Sequence, residues 1–444
     1  MSWGETEFLG SGVNDKRESK SLAKMADRLL MNPELSFSRA VGEGLRRAAW
    51  RIFSKQEVDV GYGHYKQTAG RCRAYETILV SQDTTDINYQ GHYATTGLGD
   101  LGGQKELGHA GLCLHTAMAI NEQGLPLGLV GQKVWPPVAS GRSQALHKYA
   151  LEEKESYRWV EGLQWTGQYL APIQQVIVIS DRESDFYDYL RAPRSQNTDL
   201  LVRARYLTRW VYYQGEKQKL GQLSLSATSQ VDIAVARAKN RPARIAHLQV
   251  SWGQITCPPP VNRKGKMVDL WLVKAQEIDP PDKEKAISWY LLTSMAVADE
   301  ASALLMLDYY RRRWLIERWH LVLKQGLQLE RLQFDNFERL SNAIKLLGIV
   351  AWQLLCLKQL AAQAPDLPAE EVFEPLQVEV LKKKKGTKQL SLRQAFMVMA
   401  ALAGFSPTKK QPLPGEKTIW QAWAIFNAFC QGYQFAFQER YGTG

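Results

Sequence analysis

At 444 residues the chain exceeds what one hydrophobic core usually holds, and its 45% apolar and 23% charged composition excludes a disordered or fibrous protein. Fifty-six Lys and Arg against 45 Asp and Glu leave a formal charge of +11, a surplus that points towards a polyanionic partner. Five scattered cysteines with no CxxC pair argue against a zinc site and against a disulfide framework, and fit a reducing cytoplasm. The opening MSWGETEFLG, with no basic stretch before an apolar one, does not read as a secretory signal.

Between 15 and 55 two amphipathic helices are expected, DKRESKSLAKMADRLL and SFSRAVGEGLRRAAWRIFSK, parted by the turn signal MNPEL. The second carries Arg39, Arg46, Arg47, Arg51 and Lys55, which form either a solvated basic face or the DNA-docking surface of a small helical unit. From 75 the pattern turns to strands. YETILVSQDTT is a β-rich run ending in small polar residues, and GLCLHTAMAIN and GLPLGLVGQKVW meet across EQ as an antiparallel hairpin. QQVIVISDRESDFYDYL reads as a strand running into a helix, and DLLVRARY as another strand. From 207 to 288 the alternating runs VDIAVARA, ARIAHLQVSW and KMVDLWLVKA make a β-rich insertion, and SWYLLTSMAV is a last strand. Helices are expected over about 300–328 and 336–362. The apolar run AIKLLGIVAWQLLCL contains Lys345 and Gln353, falls short of the roughly 20 residues of a membrane span, and reads as a buried helix. Residues 364–388, ending in KKKKGTK, read as an exposed connection, because a block of like charge resists packing. LSLRQAFMVMAALAGF and TIWQAWAIFNAFCQGYQFAF close the chain as helices that either pack on the body or offer a surface to a second copy.

The segment YYRRRWLIERWHLVLKQG, 309–326, carries Tyr310, Arg313, Glu317 and Lys324 at i, i+3, i+7 and i+14. At about 100° per residue a continuous α-helix holds these four within roughly a 60° arc, with Leu315, Ile316, Trp319, Val322 and Leu323 mostly opposite. A polar stripe facing a cleft is the expectation. Two more carboxylates stand out: Asp83 ends the first strand and Asp181 ends VIVIS. Three strands, a helix, the Asp181 strand, a further strand and a carboxylate-bearing helix make the order of a ribonuclease H-like α/β fold. In it the first strand lies beside the one ending in Asp181, which brings all three carboxylates to one sheet edge. Carboxylate oxygens suit Mg²⁺, and two such ions can drive in-line attack on a phosphodiester. Any one of these aspartates alone would more often be a turn or a helix cap.

Tyr310, Arg313, Glu317 and Lys324 match the Y-(2)-R-(3)-E-(6)-K signature of DDE transposases of the insertion sequence 4 family, and QDTT around Asp83 and SDRESD around Asp181 resemble that family's two aspartate motifs. RAKNRPARIAHL, WYLLTS and LRQAFMVMAALAGF are similar as well. The resemblance implies three parts: residues 1–70 as a helical DNA-end-binding domain, 71–363 as the catalytic domain with its insertion at about 207–288, and 364–444 as a linker and helical dimerisation domain. It implies a homodimer that joins two transposon ends, nicks each to a 3′-hydroxyl, forms and opens a hairpin, and transfers the end to target DNA. Asp83, Asp181 and Glu317 would then hold two Mg²⁺ ions, or Mn²⁺ in their place. Tyr310, Arg313 and Lys324 would hold phosphates, and Arg203 matches a basic residue lining that site. Trp289 would stack on a flipped base, unless it is a core tryptophan on an edge strand. Arg46, Arg47 and Arg51 would read the end sequence. The rival readings are an end-binding repressor that does not cut, and a nuclease that does not join.

GLGDLG, 97–102, satisfies G-x-G-x-x-G, but it neither follows a strand nor opens a helix and so is not expected to bind a dinucleotide. His92, His109 and His115 lack metal-binding spacing.

Overall fold

In the computed structural model all residues are described except 12–14, 56–57, 103–109, 138–149, 236–241, 262, 282–285, 410–411 and 442–444. In chain order the helices α1 Trp3–Phe8, α2 Lys16–Met31, α3 Phe37–Phe53 and α4 Tyr62–Cys72 come first. The strands β1 Thr77–Asn88, β2 Gly99–Asp100, β3 Ala110–Asn121 and β4 Pro126–Trp135 follow, then α5 Tyr157–Leu170, β5 Gln175–Ser180, α6 Tyr187–Leu190 and β6 Thr198–Arg203. A β-rich stretch holds β7 Trp210–Tyr213, β8 Glu216–Lys219, β9 Ala227–Val235, β10 Arg244–Cys257, β11 Val268–Glu277 and β12 Ser288–Thr293. The chain ends in α7 Glu300–Arg312, α8 Trp314–Leu321, α9 Phe337–Gln363, α10 Pro375–Lys385, α11 Leu392–Leu402 and α12 Glu416–Tyr441. These elements form a mixed α/β fold in two compact units. One, the helical unit, comprises Met1–Cys72, Thr84–Gln144 and Leu315–Gly444; the other, the sheet unit, comprises Arg73–Asp83 and Ala145–Trp314.

In the sheet unit β1 pairs with β5 and β5 with β6, both in parallel, and β6 continues through antiparallel β12, β11, β10, β7 and β8, with β9 also on β10. Val176, Ile177, Val178 and Ile179 are all fully buried, as a parallel strand covered on both faces requires. Helix α5 lies so close to β1 that a Cβ on Gly162 would fall 2.5 Å from the Gln82 amide. In β10 the alternation of Leu248 and Val250 inward with His247 and Gln249 outward marks a sheet wet on one side.

The helical unit is built on the β3–β4 hairpin, whose residues are nearly all buried. Helix α9 crosses the hairpin, and the Trp352 indole N–H donates to the Pro126 carbonyl at 2.9 Å. This helix is long and apolar enough to cross a membrane, yet 78% of its most apolar window is buried in the protein, the mark of a core helix. A buried polar lock ties the chain start to this core. His64 donates from Nδ1 to Glu7 at 2.6 Å and accepts the Leu129 amide on Nε2 at 2.9 Å, which fixes the tautomer; Arg71 closes on the other Glu7 oxygen at 2.6 Å.

Several expectations change. Strand β1 does not end at Asp83 but runs on to Asn88, because Thr84 and Thr85 are β-branched and extend a strand as readily as they end one. Helix α3 bends at Gly42, whose φ of 76° only glycine adopts without strain. The single helix expected over 300–328 is broken: the Arg313 amide bonds to Tyr310 in a tighter turn, and Val322–Gly326 is a π-helical turn. The expected connection at 364–388 holds helix α10, started by Pro375 and capped by Glu374 with Gln377. Its buried Val378 and Leu381 pack inward, and its lysines gather in the last turn, where the helix dipole favours cations. Neither α1 nor α4 is signalled by an apolar period. GLGDLG contains β2, paired with β3, and the residues that follow it fall outside the described ones. His92 lies edge-on to Tyr89, His115 faces the Thr84 hydroxyl at 2.9 Å, and His109 falls outside the described residues.

Candidate active site

The site starts from strand register. β1 and β5 pair from Thr77↔Gln175 to Ser81↔Ile179, and two further steps in this register set Asp83 beside Asp181. Neighbouring strands lie about 4.8 Å apart and laterally paired residues share a face, so both carboxylates leave the sheet on the same side. Asp181 follows the last residue of β5 and accepts the Glu183 amide at 2.9 Å, capping a single 3₁₀ turn. Asp83, its side chain 15% exposed, faces the Arg313 guanidinium at 3.4 Å.

Around this pair the sheet unit gathers four more of the predicted residues. Arg313 lies over the Tyr310 ring with its carbon 5.9 Å from the centroid, and Trp289 meets the same ring edge-on at 5.6 Å. Arg203 lies near enough to the Tyr310 hydroxyl to act on it electrostatically, and it donates to the Ser288 carbonyl at 3.1 Å. Burial pushes the Tyr310 hydroxyl above its ordinary value, against the downward pull of Arg313 and Arg203, with Asp181 adding to the rise. Burial also lowers Arg203, and the charges of Arg182 and Arg313 lower it further while Tyr310 opposes them. Tyr310 is therefore no part of a solvent-facing stripe. It is 5% exposed and forms the floor on which Arg203, Arg313 and Trp289 rest. Trp289 sits on β12, an inner strand between β6 and β11, rather than on an edge strand, and is half-buried.

The helical unit carries the remaining candidates. Glu317 is half-buried on α8, the helix whose Ile316 and Trp319 are fully buried as the apolar pattern predicts. Lys324, in the π-helical turn, donates to the Asp86 carbonyl. Arg46, Arg47 and Arg51 are exposed on α3. Arg47 pairs with Glu43 at 2.5 Å, while Arg51 at 3.3 Å and Lys55 at 2.7 Å close on the buried Glu18, so part of the basic face is spent within the protein.

Among the described residues no three His, Cys, Asp or Glu side chains form a group that could hold a metal ion. Asp83 and Asp181, two hard oxygen donors on one face amid Arg182, Arg203 and Arg313, fit a Mg²⁺ ion that completes its shell with water and phosphate oxygens. Sequence reasoning missed Asp185, in the same SDRESD loop, which is 1% exposed. Its signal is the second aspartate of that motif. Residues 155–354 match the family model of the transposase DDE domain, a span that holds Asp181, Arg203, Trp289, Tyr310, Arg313, Glu317 and Lys324 but not Asp83. That match supports a DDE transposase.

Proposed function

We propose that the protein is a cut-and-paste DNA transposase of the insertion sequence 4 kind, with a ribonuclease H-like catalytic domain that nicks transposon ends, forms and opens hairpins, and joins the freed ends to target DNA. The observation that supports this reading is the parallel β1–β5 register, which runs to Ser81↔Ile179 and, continued two residues, brings Asp83 level with Asp181. Asp83, Asp181 and Glu317 are the residues that would hold two Mg²⁺ ions, or Mn²⁺, and the ions would supply Lewis-acid activation of the attacking oxygen and stabilisation of the leaving one. Arg313 and Arg203 hold phosphate oxygens beside the carboxylates, Tyr310 packs against the Arg313 guanidinium, and Lys324 contributes a further phosphate contact. The DNA-bound form is a homodimer, and the exposed Ile425, Phe429, Phe435 and Phe437 of α12 offer an apolar contact for it.

End recognition is assigned to Arg46, Arg47 and Arg51. Deleting the first 55 residues would not test it, because Leu22, Met25, Ile52 and Phe53 are fully buried and their loss would unfold the unit. Arg46→Ala with Arg47→Ala touches only exposed side chains. It is expected to reduce the preference for the terminal repeat over random duplex by about tenfold while nonspecific binding persists. Competition binding reads the ratio, and an unchanged ratio removes these residues from end recognition.

Trp289, half-buried against Tyr310, supports a stacking role at the hairpin step. Drawing one base from the duplex costs a few kcal/mol, and an aromatic platform offsets about 1–3 kcal/mol of it. Trp289→Ala is expected to leave the first nick near the normal rate and to slow hairpin formation, so that nicked ends accumulate on a denaturing gel. An equal loss at every step, with a lower melting temperature, would mark a packing role instead.

A further inference from the structure

Downstream of β6 the sheet unit presents a basic and aromatic surface that the assigned site does not use. Tyr206 is 50% and Trp210 46% exposed, and both rings are attended by cations. Arg205 stands over the Tyr206 ring at 5.5 Å, and Lys217 and Lys219 flank the Trp210 ring at 5.6 and 5.7 Å. The hairpin that carries Trp210 and these lysines turns at Gln214 and Gly215, with φ of 52° and 83°, the pair of positive values a two-residue turn between twisted strands demands. Its second strand, β8, ends the order of the sheet. Lysines on an edge strand can serve to repel stray strands, but that role needs neither ring at the surface.

The surface is also anchored. Asp185 accepts the backbone amides of Arg205 at 2.7 Å and Tyr206 at 3.3 Å through one oxygen, and its other oxygen lies 2.6 Å from the Arg209 guanidinium. Arg209 returns a hydrogen bond to the Asp185 carbonyl at 3.1 Å. Asp185 stands four residues after Asp181, at the end of the same 3₁₀ turn, so the buried carboxylate binds the loop of one candidate metal ligand to the root of the aromatic surface.

We propose that Arg205, Tyr206, Trp210, Lys217 and Lys219 form a second DNA-binding surface, one that takes DNA with unpaired bases, and that Asp185 is the residue that positions it against the Asp181 loop. A duplex hides the faces of its bases, so exposed rings gain little from it. An unpaired strand offers those faces to Tyr206 and Trp210 while its phosphates meet Arg205, Lys217 and Lys219. The surface would hold a strand opened near the cut. This rests on the reading of the protein as one that acts on DNA.

The test is fluorescence anisotropy of the full chain with a labelled single-stranded oligonucleotide and with the duplex of the same sequence. Tyr206→Ala with Trp210→Ala is expected to weaken single-strand binding by about tenfold or more and duplex binding by less than about threefold. The double Phe variant, which keeps a ring at each position, is expected to restore it. Lys217→Gln with Lys219→Gln is expected to lower the steepness of the salt dependence by about two phosphate contacts. Both rings are exposed, so matched melting curves will show that the variants fold. Unchanged single-strand affinity in the double Ala variant, with duplex binding intact, overturns the proposal and leaves the transposase reading standing. A wild-type chain that binds neither probe overturns both.

Discussion

Asp181→Ala and Asp83→Ala are each expected to lower DNA cleavage by at least about a thousandfold, roughly 4 kcal/mol of transition-state stabilisation, and to leave end binding intact. Continued two residues, the β1–β5 register brings the two side chains out on one face of neighbouring strands, so losing either would leave a bound cation only one protein carboxylate there. Binding survives because the phosphate contacts come from other residues, and removing a negative charge beside Arg313 lessens repulsion of DNA. Ala at 181 also removes the cap on Glu183, worth about 1 kcal/mol, whereas Asn keeps an oxygen there. Asp181→Asn should therefore melt like the parent and still fail to cut. Cleavage by Asp181→Asn at the parent rate would remove Asp181 from the site.

The second large effect is on stability. Glu7→Ala is expected to cost about 3–5 kcal/mol, because it breaks a buried carboxylate network and takes the acceptor from the fully buried His64 Nδ1 and from Arg71. Burial raises the Glu7 carboxyl, but His64 and Arg71 outweigh it and hold the group below its ordinary 4.5. Burial pushes His64 below its ordinary 6.5, with Glu7 pulling the other way. The folded His64 stays neutral where the unfolded chain takes up a proton, so its contribution is present above about pH 6.5 and is lost as the pH falls. Glu7 adds a contribution that is present above about 4.5 and is lost as the pH falls through its lowered value. Both signs agree: acid weakens the lock. Melting curves between about pH 7.5 and about pH 5 should show a falling midpoint for the parent and a flatter one for His64→Leu. A pH-independent parent would show that this lock does not couple to folding.

The strands were the most readable part of the sequence. VIVIS announces a doubly buried parallel strand, and it pairs with the run ILVS before Asp83 as far as Ser81↔Ile179. The helix signature was only partly readable. Its apolar residues Ile316, Trp319, Val322 and Leu323 are buried as the 3.6-residue period demands. The four polar residues assume an unbroken helix, and nothing in their spacing announces the break at Arg313 or the π-helical turn at Val322–Gly326. Tyr310 shows the same limit: its hydroxyl suggests a wet face, yet Trp289 from a distant strand covers its ring. Asp185 and its partners at 205–209 lie some twenty residues apart and share no period, so only folding shows that they meet. The lysines of α10 mislead because their charge density says nothing of the helix cap that lies eight residues before them.

The most direct measurement follows an end-labelled duplex bearing the element's own terminal repeat through incubation with the full chain, with Mg²⁺ or with EDTA, on a denaturing gel. The expected result is a nick with a 3′-hydroxyl, then a hairpin and a joined product in Mg²⁺, and no cut in EDTA. Cutting that persists undiminished in EDTA, or that leaves a 3′-phosphate and never yields a joined product, would contradict it.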